Sequence, residues 1–174
     1  MNLVGNKVTL RALQIEDMKI FNDMINDSEI EKMVVGWSKP VTIDEQEKWF
    51  NNLNSDSNIR YAIAVNDYAI GSATIRNIDW KNRSASFDIK ILLEHGGQGY
   101  GKESIKLLLD YCFNQLNLNR ISVNILEFNE ISQKLFRSCG FQQEGVQREA
   151  VFKEGKYNSL LIFSILRDEY IKIK

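Results

Sequence analysis

The stretch Ile89-Lys-Ile-Leu-Leu-Glu-His-Gly-Gly-Gln-Gly-Tyr-Gly-Lys-Glu-Ser104, with its continuation from Ile105 to Leu116, decides the fold. An apolar run of strand character breaks at Gly96, Gly97, Gly99 and Gly101, and a helical pattern begins at once. Ile105, Leu108, Leu109, Cys112, Phe113 and Leu116 recur at steps of three and four residues, which makes one apolar helix stripe. Glycines let the chain turn sharply and bring backbone N–H groups close to a ligand, while the following helix adds the positive end of its dipole. Strand, glycine loop and helix in that order form a cradle for phosphate. Such loops also serve P-loops, dinucleotide folds and plain connections. A P-loop needs Gly-Lys-Ser/Thr, but Lys102 is followed by Glu103, and a Rossmann unit would lie earlier in the chain.

Before the loop, Ser84 to Leu92 reads as a strand. Tyr61, Ile63 and Val65 alternate with Ala62 and Ala64, and the turn Asn66-Asp67 leads into Ala69 to Arg76, so these runs predict a hairpin. Thr42 with Glu45, and Ser28 with Glu31, have capping-box spacing. The first opens a helix carrying Ile43, Phe50 and Leu53. Between them runs the loop Met33 to Pro40, with Trp37 as a lid or core-closing residue. Ile15 to Ile25 reads as a helix with Met18, Phe21 and Ile25 on one face, and Val8, Leu10 and Ala12 as a short strand.

Beyond the loop helix, Ile121, Val123 and Ile125 mark a strand reached by a crossover and therefore parallel to the strand before the loop. Asn129 to Ser138 predicts a short helix. Glu149 to Lys153 and Ser159 to Leu166 close the chain as two strands around Glu154-Gly155-Lys156. The expected class is α+β, a mostly antiparallel sheet interrupted by one βαβ unit, in a single domain over residues 1–174.

Composition narrows the chemistry. With 22 basic and 23 acidic residues among 174 the net charge is −1, so no basic footprint for nucleic acid is present and any anion site is local. The start lacks the apolar core of a signal peptide, and no apolar run approaches the roughly 18 residues that span a bilayer. A cytoplasmic protein without membrane partners is expected. Cys112 and Cys139 have neither metal spacing nor a disulfide framework and read as buried thiols; no metal is expected.

Four motifs in order now support a resemblance. Gly96-Gly-Gln-Gly-Tyr-Gly101, Asn129-Glu-Ile-Ser-Gln-Lys-Leu-Phe136 through Cys139-Gly140-Phe141, and Glu144-Gly145 resemble the GCN5-related N-acetyltransferase (GNAT) family. Leu10-Arg11 to Asp17, with Gly155-Lys-Tyr-Asn158, is similar to its RimJ/RimL-type branch of ribosomal-protein and spermidine acetyltransferases. The resemblance implies the GNAT fold, with acetyl-coenzyme A (acetyl-CoA) in a cleft where the strand before the loop splays from the strand after the helix. Its pyrophosphate would rest on the amides of Gly97, Gln98, Gly99, Tyr100, Gly101 and Lys102. The thioester would lie beside Ile89 and Ile91, where a free backbone N–H stabilises the developing oxyanion; Asn129 and Phe136 would complete the cofactor wall.

Acetyl transfer to an amine needs a base, because a lysine-like amine has a pKa near 10.4, and an acid for the departing thiolate. Many relatives place a tyrosine where this chain has Phe136, which has no proton to give. The ribosomal-protein branch is similar in carrying a serine three residues after the asparagine, which makes Ser132 the candidate proton donor; as a first-turn residue it is also plain helix chemistry. Asn129 doubles as an N-cap. Spermidine-type relatives carry a glutamate where this chain has Ser86, and Asp88, two residues on, faces the same side and is the candidate base. Glu149 is a second choice, and His95 reads as solvated. The family pattern asks for Arg or Gln where Gly96 stands, so Gln98 or Lys102 would have to supply the contact.

Asp23, Asp27, Glu29, Glu31, Asp44, Glu45 and Glu47 make residues 16–53 acidic, either a lure for a cationic acceptor or solvated helix faces. Spermidine enzymes have an acidic, aromatic stretch where this chain has Trp37-Ser-Lys-Pro-Val-Thr42. The expected activity is acetyl transfer to a primary amine, on a protein N-terminus, polyamine, amino sugar or similar small molecule. The alternative is a regulatory module that binds acetyl-CoA without turnover. An exposed closing hairpin would permit a homodimer.

Overall fold

The computed structural model describes residues 1–36, 39–53 and 57–174. The strands are β1 (Leu3–Val4), β2 (Thr9–Arg11), β3 (Ile59–Val65), β4 (Tyr68–Asp79), β5 (Ser84–Ile91), β6 (Arg120–Leu126), β7 (Gln142–Lys153) and β8 (Lys156–Leu166). Among the described residues they form one sheet in the order β1-β2-β3-β4-β5-β6-β8-β7. Every pairing is antiparallel except β5 with β6. The expected βαβ interruption is thus present, with α4 (Tyr100–Asn114) as its crossover.

The period-two pattern of the strands divides the two layers. Tyr61, Ile63, Ala73, Ile75, Ala85 and Phe87 face Ile105, Leu108, Leu109, Cys112 and Phe113 of α4 in the main core. The opposite face carries Ala62, which packs with Met18, Phe21, Met24 and Ile30. These last four come from α1 (Met18–Asn26) and α2 (Ser28–Met33), and α3 (Ile43–Asn51) adds Phe50. Phe87, Phe113 and Phe163 are nearly inaccessible, and truncating any of them to alanine costs about 3–5 kcal/mol.

The helix starts follow local chemistry, with one correction. Thr42 accepts from the Glu45 N–H at 3.2 Å while the Glu45 carboxylate accepts from the Thr42 N–H at 2.8 Å, the capping box read from the sequence. For α2 the cap is Asp27 rather than Ser28: its carboxylate accepts from the N–H groups of Glu29 and Ile30 at 2.8 and 3.2 Å. A carboxylate so placed also favours the positive end of the helix dipole. On α1, Met24 is buried and Ile25 is exposed, a shift of one residue around the helix from the predicted face. β7 begins at Gln142, seven residues before the predicted start, because it follows β8 through two bulges. Among the described residues, β1, the 3₁₀ turn Leu93–His95 and α6 (Arg167–Ile173), whose Tyr170 packs on Phe113, escaped the sequence reading. Trp37 lies outside the described residues. Among the described residues, no helix is long and apolar enough to cross a membrane.

Candidate active site

β5 and β6 run in register at Ser84↔Arg120, Ala85↔Ile121 and Ser86↔Ser122, and there their pairing stops. β5 stays bonded to β4 as far as Gly71↔Ile91, and β6 stays bonded to β8 as far as Leu126↔Leu160. The two strands therefore part like an opened seam, leaving one edge of β5 beyond Ser86 without a strand partner among the described residues. A cleft of 670 Å³ fills the gap. Its walls include Asp88, Ile89 and Ile91 of β5, Gly101 of α4, and Asn129, Ser132 and Phe136 at α5 (Glu130–Ser138).

The glycine loop stands at the rim. A 3₁₀ turn over Leu93–His95 ends at Gly96, whose N–H donates to the Leu93 carbonyl at 2.9 Å. Gly99, with φ of 85°, is the residue before α4; this left-handed backbone is strained for any residue with a Cβ. The first N–H groups of an α-helix have no acceptor within it, and α4 opens at Tyr100, directly after the glycine loop. Gly97, Gln98, Gly99 and Lys102 are exposed and Tyr100 half-buried, next to Gly101 rather than inside the cleft. A Cβ at Gly101 would meet Leu135 Cδ2 at 3.2 Å and Ile91 Cδ1 at 3.5 Å, so glycine keeps the helix start close to the cleft wall. A diphosphate-bearing donor fits this arrangement: exposed amides at the rim, an apolar wall below.

Two residues not singled out in the sequence hold the loop. Lys7 Nζ donates to the Gln98 carbonyl at 3.0 Å. The Glu103 carboxylate, in the first turn of α4, accepts from the backbone N–H groups of Asn6, Lys7 and Val8 at 2.8, 2.8 and 3.0 Å. The connection between β1 and β2 is thereby tied to the cradle helix.

Asn129 Oδ1 accepts from the Ser132 N–H at 3.0 Å, the expected N-cap. Its amide nitrogen donates to the Met33 carbonyl at 2.9 Å, so it links α5 to the end of α2 at the cleft wall. Ser132 is half-buried in the cleft wall. Phe136 is buried and packs edge-on against Phe141 with centroids 5.0 Å apart, which gives it a core role beside its place on the wall.

Asp88 shares its face of β5 with Ser86 and Lys90, as the alternation predicted. Its Oδ2 lies 2.6 Å from Arg76 Nη1, a neighbour that only the β4–β5 register brings near. Asp88, Lys90, Ile30 and Val34 line both the cleft and a second pocket of 440 Å³ under α1–α3. Glu149 is exposed on a bulge of β7 with φ of 51° and lines neither. His95 is half-buried, 3.6 Å from Glu94. Both cysteines are buried, and burial pushes both thiols up, Cys112 furthest, which disfavours the thiolate a nucleophile needs.

The family model described as an acetyltransferase (GNAT) domain matches residues 7–142. The chain belongs to the GNAT acetyltransferase family. Acetyl-CoA is its donor and transfer to an amine its reaction. The spermidine N(1)-acetyltransferase of Vibrio cholerae serotype O1 is 30% identical over 171 residues, 97% of this chain and 98% of that protein. An N-acetyltransferase of Bacillus licheniformis, p20, is 30% identical over 97% of each chain. The crystal structure of the V. cholerae spermidine enzyme in complex with CoA and spermine superposes with a TM-score of 0.89 at 28% identity, over 96% of this chain and 99% of that one.

Proposed function

We propose that the chain, as one domain over residues 1–174, transfers acetyl directly from acetyl-CoA to a small primary amine seated in the 440 Å³ pocket. The observation that carries this reading is the meeting of the two cavities at Asp88 and Lys90, directly beyond the point where β5 and β6 part. A donor held from the Gly97–Lys102 amides down to Ile89 and Ile91 would present its acyl group where the amine arrives.

In this reading acetyl-CoA supplies the activated acyl group, and the chain supplies position, charge and proton traffic. Backbone N–H groups on the unpartnered edge of β5 oppose the negative charge that develops on the thioester oxygen. Asp88 Oδ takes the proton of the incoming ammonium, directly or through water. Ser132 Oγ hydrogen-bonds the thioester sulfur and hands it a proton as it leaves, recovering one from the nitrogen, which carries a surplus proton after attack. Gln98 or Lys102 stands in for the side chain that Gly96 lacks. The names of the curated relatives support an amine acceptor.

Calorimetric titration with acetyl-CoA, followed by thiol release across an amine panel, tests the proposal. Saturable binding with release for at least one amine is expected; binding without release for any amine would favour the regulatory module. We also propose a cytoplasmic location and a homodimer. The latter is supported by β7, an outer strand that leaves Val146 and Phe152 exposed; sedimentation measures it.

A further inference from the structure

The charges lining the acceptor pocket are not those a polycation needs. Each carboxylate on its wall already has a donor: Glu31 receives the buried ammonium of Lys153, Glu45 closes the capping box, and Asp88 holds Arg76. Arg60 and Lys90 line the same pocket, and among the described residues neither has an ion pair. Arg60 is half-buried, its guanidinium 5.8 Å over the Trp49 ring, and it feels the repulsion of another cation, Arg76. A cation partly removed from water and set beside a like charge is costly until an anion joins it.

The sheet register fixes where that anion would sit. Arg60 is opposite Thr74, and Thr74 is opposite Asp88, so all three stand in one cross-strand row on one face. Arg60 and Asp88 are two inter-strand spacings apart, roughly 10 Å between backbones. We propose that the acceptor is a primary amine carrying an oxyanion, with its nitrogen at Asp88 and its oxyanion gripped by Arg60 and Lys90. This rests on the acetyl transfer proposed above. A planar guanidinium matches carboxylate and phosphate alike through paired N–H donors, whereas the second ammonium of a polyamine would be driven against Arg60.

The test is thiol release by the full chain with matched acceptors. The pairs are a dipeptide and its C-terminal amide, aminohexanoate and hexylamine, and phosphoethanolamine and ethanolamine, with spermidine alongside. In at least one pair kcat/KM should be roughly tenfold to a hundredfold higher for the oxyanion member, the worth of a hydrogen bond to a charged group. Carboxylate pairs and the phosphate pair report which oxyanion is preferred. Arg60→Gln and, separately, Lys90→Gln should each shrink the preference through KM for the anionic member; for Arg60→Gln, which lies outside the donor cleft, KM for the neutral member and the acetyl-CoA Kd stay unchanged, and that unchanged Kd also reports intact folding. Spermidine or the neutral members being used best, or a preference that survives both substitutions, would overturn the proposal while leaving acetyl transfer standing. Absence of release with every amine would remove the transfer reading itself.

Discussion

Arg76 Nη1 stands 2.6 Å from Asp88 Oδ2, a contact made across β4 and β5 at the junction of the two cavities. The proposed proton acceptor is therefore oriented by the neighbouring strand. Asp88→Asn keeps its size and removes its basicity. The expected loss in kcat at neutral pH is roughly 10²- to 10⁴-fold, with the acetyl-CoA Kd unchanged. Activity should recover in part as the pH approaches the acceptor amine's own pKa, near 10. An undiminished kcat in a pH–rate profile would place the base elsewhere.

Glu103 ties the β1–β2 connection to the cradle helix through three backbone N–H groups. Glu103→Ala strips all three of their acceptor and should lower stability by about 1–3 kcal/mol. Because Lys7 loses its anchorage and also holds the Gln98 carbonyl, the same variant should bind acetyl-CoA more weakly. Denaturant unfolding and calorimetry measure the two effects, and an unaltered unfolding midpoint would contradict the first.

Ser104 is fully buried on α4, and its hydroxyl has no hydrogen-bond partner among the described residues. Ser104→Ala removes an unsatisfied polar group and improves helix propensity, so a gain of about 1 kcal/mol is expected. In a chain of this size that raises Tm by about 2–4 °C. A lower Tm would show that the hydroxyl has a partner in solution.

Arg120 Nη1 donates to Glu144 Oε1 at 2.8 Å, and that pair, with help from Ser164, holds the Glu144 carboxyl down to about 2. A value depressed on folding means stability that is present above the unfolded value, near 4.3, and is lost as pH falls through the folded one. The side chain is 40% exposed, so solvent screening limits the contribution to under about 1 kcal/mol. Wild type and Glu144→Gln should differ by that amount at neutral pH and converge between pH 4 and 2 in urea melts. Parallel curves over that window would exclude the linkage.

Much of the site was legible before any coordinates. The α4 stripe is buried as its spacing required, and the glycines, Asn129 and Ser132 fall at the ends of elements, where local chemistry announces itself. Asp88 was placed on the right face by alternation alone. The failures share a cause: Ser28 was passed over as a cap because Asp27, one residue earlier, is the stronger acceptor, and β7 was cut short because bulges break the period-two pattern. β1 is two residues long and has no period at all.

By itself the sequence determined the order of elements, the apolar stripe of α4 and the glycine cradle, since each is a relation among residues within a few positions of one another. Tertiary structure alone decided that β5 and β6 part after Ser86, that Arg76 reaches Asp88, that Glu103 captures the β1–β2 connection and that Arg60 has no counter-ion among the described residues. Those are relations between strands and helices distant along the chain. Register and packing set them, and no local periodicity carries that information.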